Sequence, residues 1–189
     1  MSIVLASASP RRKQLLEQIG CQFSIITSDI IEDNNLDILP YELAVQHAQF
    51  KAVDVASKLA ADDIVIGADT VVVLDGKVFG KPADVAEAKR MLTCLAGRSH
   101  HVITGIAVVR GKEVWTDFTQ TQVDFVPLTA DEIDRYIATG EPMDKAGAYA
   151  IQGIGALFVD HIHGCYTNVV GLPLNNLARL LKKAGIRLL

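Results

Sequence analysis

Four segments of this chain carry residues whose types and spacing could do chemistry. The first is Ser7-Ala8-Ser9-Pro10-Arg11-Arg12-Lys13, set between an apolar run and a helix start. Backbone N–H groups at a helix start attract anions, and hydroxyls with guanidinium forks add phosphate ligands. Three consecutive cations in a first turn oppose the helix dipole and cost stability unless an anion compensates, which favours phosphate binding over a plainly capped helix. The second segment is Ile66-Gly67-Ala68-Asp69-Thr70, a carboxylate after a buried apolar strand, where open α/β sheets place ligands. Asp69 could hold a divalent cation or act as a base toward water; a turn or cap aspartate is the competing role.

Lys81, between Gly80 and Pro82, forms the third. Pro82 restricts Lys81 to extended backbone, which suits a fixed cation in a cleft, although a solvated loop lysine reads the same way. Lys51, on a long helix, shares that ambiguity. The fourth segment spans residues 140–153, with too many small residues for a helix interior and too many charges for a core strand. It reads as a loop shaped around a ligand, with Gln152 able to donate to and accept from a base edge, or else as a structural Ω-loop. The adjacent His100 and His101, and His161 and His163 about a predicted turn, lack an HExxH metal spacing and read as surface or internally satisfied. Several cations, two carboxylates (Glu32 and Asp69) and no nucleophile paired with a base favour metal-assisted attack of water on a phosphate.

The elements that must position these residues alternate between short apolar runs and helical patterns, as in an α/β domain. Strands are expected at residues 3–6, 23–27, 64–67 and 71–74, the last ending at an Asp75-Gly76 turn. Two long antiparallel strands, 101–109 and 114–125, join near Gly111. Further strands are expected at 156–160 and 167–170. Helices are expected from Pro10 to Gly20 with Ser9 as cap, and at 41–59, 85–95 and 173–184. Thr129 and Glu132 form a capping box for another, reaching about Thr139. The predicted fold is a mixed, twisted sheet with helices on both sides and a cleft across it, in one domain covering residues 1–189.

The 189 residues carry 18 Lys plus Arg against 22 Asp plus Glu, a net charge of −4, which argues against bulk binding of nucleic acid. No apolar run reaches membrane-spanning length, and the start lacks the pattern of a secretory signal. Cys21, Cys94 and Cys165 are far apart and without a CxxC pair, so buried reduced thiols and a cytoplasmic setting are expected.

Taken in order, residues 5–12, Gly67-Ala68-Asp69-Thr70, Gly80-Lys81-Pro82, Gly97-Arg98-Ser99-His100, the 140–153 segment and Val170-Gly171-Leu172-Pro173 closely resemble the Maf family of nucleotide pyrophosphatases. The resemblance implies an α/β fold of two lobes around a central cleft, related to inosine triphosphate pyrophosphatases, and a divalent cation such as Mg²⁺ or Mn²⁺. It implies Asp69 as the catalytic acid residue and metal ligand, with Glu32 helping to hold metal or water. Ser7, Arg11, Arg12, Lys51 and Lys81 would grip a triphosphate. Arg11, Thr70 and Gln152 resemble the dTTP/UTP branch; the branch acting on 7-methyl-GTP usually has an aromatic, Gln and Glu there. Ala150 departs from the glycine common at its position. The implied partner is a nucleoside triphosphate, with a homodimer compatible and neither nucleic acid nor membrane expected. A regulatory role in cell division through protein interactions is the alternative, and it would not need Asp69 chemically.

Overall fold

The computed structural model describes residues 1–30 and 38–188. Its centre is β3 (Ile64–Leu74), eleven residues buried almost throughout. The apolar β1 (Ile3–Leu5) runs parallel to it, with β2 (Ser24–Ile25) beyond. On the other side β5 (Ser99–Arg110) pairs antiparallel with β3 from Ile64 opposite Arg110 to Val73 opposite His101. The hairpin continues into β6 (Glu113–Phe125), and β7 (Val159–His163) closes the far edge. The sheet order is β2-β1-β3-β5-β6-β7, with β4 (Lys77–Phe79) folded back on the end of β3.

One feature of this topology makes the cleft. Along a single edge of β3 the neighbour changes from β1, at residues 64–66, to β4, at residues 72–74. Neither strand pairs with residues 67–71, so the sheet is split beside Asp69 and Thr70. The chain leaving β1 and the chain leaving β4 both enter that gap, as ligand-binding segments do at a switch in strand order.

Alternation along β3 sends Val65, Gly67 and Asp69 to one face and Ile64, Ile66 and Ala68 to the other. The first face is covered by α2 (Pro40–Ala56), whose Ala48, Ala52 and Val55 pack with Val65, Ala107 and Val109. The second lies under α1 (Pro10–Gln18) and α6 (Leu174–Lys183), through Leu15, Leu16, Leu177 and Leu181. A separate lobe gathers α3 (Val85–Leu95), α4 (Ala130–Ala138) and residues 146–149 around Val72, Leu74, Val123 and Phe125. The expected mixed sheet between helices, two lobes and a cleft are therefore present.

Several local expectations are corrected. Residues 71–74 extend the strand of residues 64–67 and do not pair back on it, and Asp69 is no turn residue, because residues 67–71 keep their pairing with β5. Residues 166–170 are helical (α5, Tyr166–Val170), not a strand: Asn168 is buried, with its amide donating to Val102 O at 3.0 Å and Thr121 Oγ1 at 2.9 Å. Residues 154–158 form a 3₁₀ turn, so the last strand starts at Val159, and His161 and His163 lie on it, not about a turn. Ser9 takes the N-cap position of α1, but its hydroxyl makes no capping bond. The cysteines are free and half-buried, not fully buried.

The seat of α2 is unusually close. A Cβ built on Gly67 would lie 2.1 Å from Ala48 O, and one on Gly105 would lie 2.3 Å from Ala44 C. Gly105→Ala must therefore lift the helix, an overpacking cost of about 1–3 kcal/mol, or roughly 3–10 °C in Tm for a chain of this size. Calorimetry that finds an unchanged Tm would show that α2 is not seated on these glycines.

Candidate active site

The split beside β3 is the mouth of a cleft of about 420 Å³. Asp69 and Thr70 are consecutive on the strand, so their side chains leave opposite faces of the sheet. Asp69 points toward α2 and is 5 % exposed. There Lys51 Nζ lies 2.7 Å from its Oδ1 and His47 Nδ1 lies 3.4 Å from its Oδ2. Positions 47 and 51 are one helical turn apart on the face that meets the sheet, so both reach the same carboxylate. Burial alone would raise the Asp69 pKa, but His47, Lys51 and Arg12 outweigh it and hold the carboxyl below its usual range. Asp69 is a charged group at neutral pH.

Thr70 faces α1, where Arg12 converges with it. Arg12 donates through Nε to Gly171 O at 2.8 Å, through one terminal nitrogen to Ser7 Oγ at 3.0 Å and through the other to Thr70 Oγ1 at 3.0 Å. Three acceptors in different directions fix a planar fork, which a lysine could not match. Gly171, at φ 118°, follows α5 in the left-handed region; a Cβ there would lie 3.3 Å from Thr70 Oγ1. Behind Thr70 the polar chain continues: its hydroxyl is 2.9 Å from that of Thr104, which donates to Asn168 O at 3.0 Å. Thr70 is therefore held from both sides.

The remaining expected residues divide. Ser7, Arg11 and Lys81 line the cleft with the groups already named. Arg11 sits 3.6 Å from Asp144 Oδ2, across the mouth from α1. Gln152 is exposed and is not among the lining residues, although its neighbour Ile151 is. Glu32 lies outside the described residues. Three groups that sequence reasoning did not assign also belong here: His47, Asp144 and Lys145. Lys145 pairs with Asp144 and donates to Glu141 O at 3.2 Å, so its ammonium is held at the rim. The Asp144-Lys145 pair stood in the loop segment, but nothing in its spacing said that it would meet Arg11.

Among the described residues, five cations (Arg11, Arg12, Lys51, Lys81, Lys145) and two carboxylates (Asp69, Asp144) line the cleft, an excess of three positive charges among them in a chain of net −4. Two to three residues further along β3 the lining becomes apolar, with Val72, Val102, Ala146, Tyr149, Ala150 and Ile151. The arrangement suits an anion of several charges joined to a flat or apolar body.

A cleft opening at a break in a mixed α/β sheet, lined by cations about Asp69 and Asp144, makes this an α/β protein whose site suits an anion. Comparison with known proteins then places it. Residues 2–184 match the Maf-like protein family, and the chain belongs to that family. A dTTP/UTP pyrophosphatase of Pelotomaculum thermopropionicum is 52% identical over 189 residues, covering 99% of this chain and 98% of that one. A protein of the same name from Bacillus cereus is 47% identical over 184 residues, covering 97% and 96%. Among solved structures, the Ham1 protein of Staphylococcus aureus overlaps 66% of this chain and 72% of its own, with TM-score 0.47 and 16% identity.

The apolar wall has a titratable support. Tyr149 OH lies 2.9 Å from Nε2 of His100, which is 1 % exposed and stacked edge-on against Phe125. Burial, with nearby His101, pushes the His100 pKa down to about 4. The unfolded chain takes up that proton near pH 6.5 and the folded chain only near 4, so stability must fall as pH drops through this window and level off below it. About 3 kcal/mol separates the two plateaus. Urea titrations at pH 7 and 4.5 check this: His100→Gln should flatten the difference, and an unaltered pH slope would show that His100 is not its source.

Proposed function

We propose that this protein is a nucleoside triphosphate pyrophosphatase that converts dTTP and UTP to the monophosphate and pyrophosphate. The observation that carries the reading is the cleft: a charged, buried Asp69 among fixed cations, beside an apolar wall. The full-length similarity to proteins named dTTP/UTP pyrophosphatases supports the choice of substrate.

In this reading the phosphate chain lies over the start of α1 and along the gap in the sheet. Ser7 and the Arg12 fork hold phosphate oxygens, and Arg11, Lys51 and Lys81 neutralise the rest. Mg²⁺ or Mn²⁺ is the proposed cofactor. Among the described residues no three His, Cys, Asp or Glu side chains converge. That suits an ion held by one or two carboxylates together with substrate phosphates, as Mg²⁺ commonly is. Asp69 would hold it, with Glu32 as the second proposed ligand. A bound ion supplies charge neutralisation at the phosphates and a more acidic water. A carboxyl held below its usual range is a weak base, so Asp69 is better suited to holding the cation and orienting water than to storing a proton. The attacked phosphorus is the α one, between the Asp69 carboxylate and the apolar wall that receives the pyrimidine. Gln152, with both a donor and an acceptor, is the proposed reader of its edge.

With dTTP or UTP and a divalent ion, the products should be a monophosphate and pyrophosphate, and EDTA should abolish turnover. Orthophosphate with a nucleoside diphosphate would instead identify a phosphatase cutting at the terminal group. Chromatography of the nucleotide products decides between them.

Asp69→Asn keeps the shape and removes the charge. Turnover should fall at least roughly 10²-fold. The circular dichroism spectrum should be retained, with Tm lowered because Lys51 loses a charged partner. A folded variant with near-normal kcat would reduce Asp69 to a structural aspartate.

A further inference from the structure

One side chain outside the cleft lining holds the backbone of the loop that forms its apolar wall. The Glu141 carboxylate accepts from Ile154 N at 3.0 Å on one oxygen, and from Gly155 N at 3.0 Å and Tyr136 OH at 2.8 Å on the other. The same Tyr136 hydroxyl accepts from Ala150 N at 3.2 Å. Residues 150 and 154–155 are thus tied to one carboxylate–phenol pair, and Tyr136 is itself anchored in the second lobe, edge-on to Phe158. The fit leaves no slack. A Cβ on Gly153 would lie 2.2 Å from Glu141 Oε2, and one on Gly155 would lie 2.8 Å from Tyr136 OH. Burial would raise the Glu141 pKa, but the N–H groups of Gly155 and Ile154 and the Tyr136 hydroxyl hold it below the usual range, so the clamp is ionised.

The clamped segment has two outward consequences. Ala150 and Ile151 present the apolar surface of the cleft, and Gln152 sits between the tied points. Among the described residues no cleft cation donates a hydrogen bond to the carboxylate of Glu141: Lys145 donates to its backbone oxygen, and Lys145 and Arg11 feel the carboxylate charge through space.

We propose that Glu141 is a positioning residue for nucleobase selection: its carboxylate sets the backbone of residues 150–155, and through it the wall and the amide that meet the base. The inference rests on the nucleotide reading above. Glu141→Gln keeps the shape, yet whichever way the amide turns it sets an N–H group against a backbone N–H or the Tyr136 hydroxyl. One hydrogen bond to a charged acceptor is lost and a donor faces a donor, worth about a tenfold loss. The effect should fall on the base and spare the phosphates.

The test is calorimetric binding of dTMP and of inorganic tripolyphosphate, each with Mg²⁺, to the wild type and the variant. dTMP affinity should drop about tenfold while tripolyphosphate affinity stays within about twofold. Gly153→Ala, which drives a methyl group into the same carboxylate, should reproduce the loss, and the double variant should lose little more than either single one. Tyr136→Phe gives a milder version, about threefold, should the others fold poorly. In the active enzyme, Glu141→Gln should raise KM for dTTP and UTP more than it lowers kcat, and should narrow their preference over CTP and GTP. Equal losses for dTMP and tripolyphosphate, or unchanged dTMP affinity in a folded variant, overturn the proposal. Failure of the functional reading shows elsewhere, as a wild type that turns over neither dTTP nor UTP, because the binding comparison does not use turnover.

Discussion

The contact on which the site depends is the seating of α2 on bare backbone. Ala44, Ala48 and Ala52 repeat every four residues along the helix, and Gly67 and Gly105 lie beneath them on neighbouring strands. With no Cβ on either glycine, helix carbonyls approach the sheet more closely than any side-chain layer would permit. That approach fixes both the height and the rotation of α2. His47 and Lys51 lie on the flank of the same face, so the packing that buries three alanines also aims two nitrogen groups at Asp69. A larger residue at either glycine would move the helix and with it the charge environment of the carboxylate. Packing and electrostatics are here one constraint.

The second determinant is topological. Because β3 exchanges β1 for β4 along one edge, its middle residues keep a full ladder with β5 while their other side stays open. A strand paired on one side is rigid enough to hold Asp69 and Thr70 in register, and the open side admits a ligand. The alternation of side chains then distributes the work: Asp69 draws its partners from α2, and Thr70 draws Arg12 from α1. One dipeptide thereby joins two helices that do not share a face of the sheet.

How far this was legible in the sequence follows from where each signal resides. Local chemistry read well. Pro10 begins α1, Thr129 accepts from Glu132 N in the expected capping box, and β5 and β6 pair as the expected long antiparallel hairpin. Arg12 stood out because three cations at a helix start need a compensating anion, whereas Asp69 and Lys51 received their expected roles only from the family resemblance; the structure brings all three to the cleft. Non-local determinants were not legible. Gly67 was expected as the last residue of a short strand, and only the β5 ladder, more than thirty residues on, shows it to be mid-strand. Val169 and Val170 favour a strand by propensity, yet the buried amide of Asn168 selects a helical turn. His47 sits on an apolar helix face and reads there as a core histidine; its role depends on which strand residue faces it.

The cations of the cleft raise a further physical question, namely how Arg11, Lys145, Lys51 and Arg12 are kept together in so small a space. The answer differs by residue. Arg11 and Lys145 share Asp144 and so are partly neutralised at the rim. Lys51 is matched by Asp69. Arg12, which also feels the charge of Asp69, is oriented in part by three uncharged acceptors, Ser7 Oγ, Thr70 Oγ1 and Gly171 O. These neutral oxygens fix the plane of the guanidinium and add no negative charge of their own. Its geometry is thus prepared in advance for a phosphate, in a cleft whose protein walls screen less than water. The polar chain extends inward from there: the Thr70 hydroxyl, which accepts from Arg12, is backed by that of Thr104, and Thr104 donates to the backbone oxygen of Asn168. Uncharged acceptors thus share with Asp69 and Asp144 the task of ordering the cations that the described residues bring to the cleft.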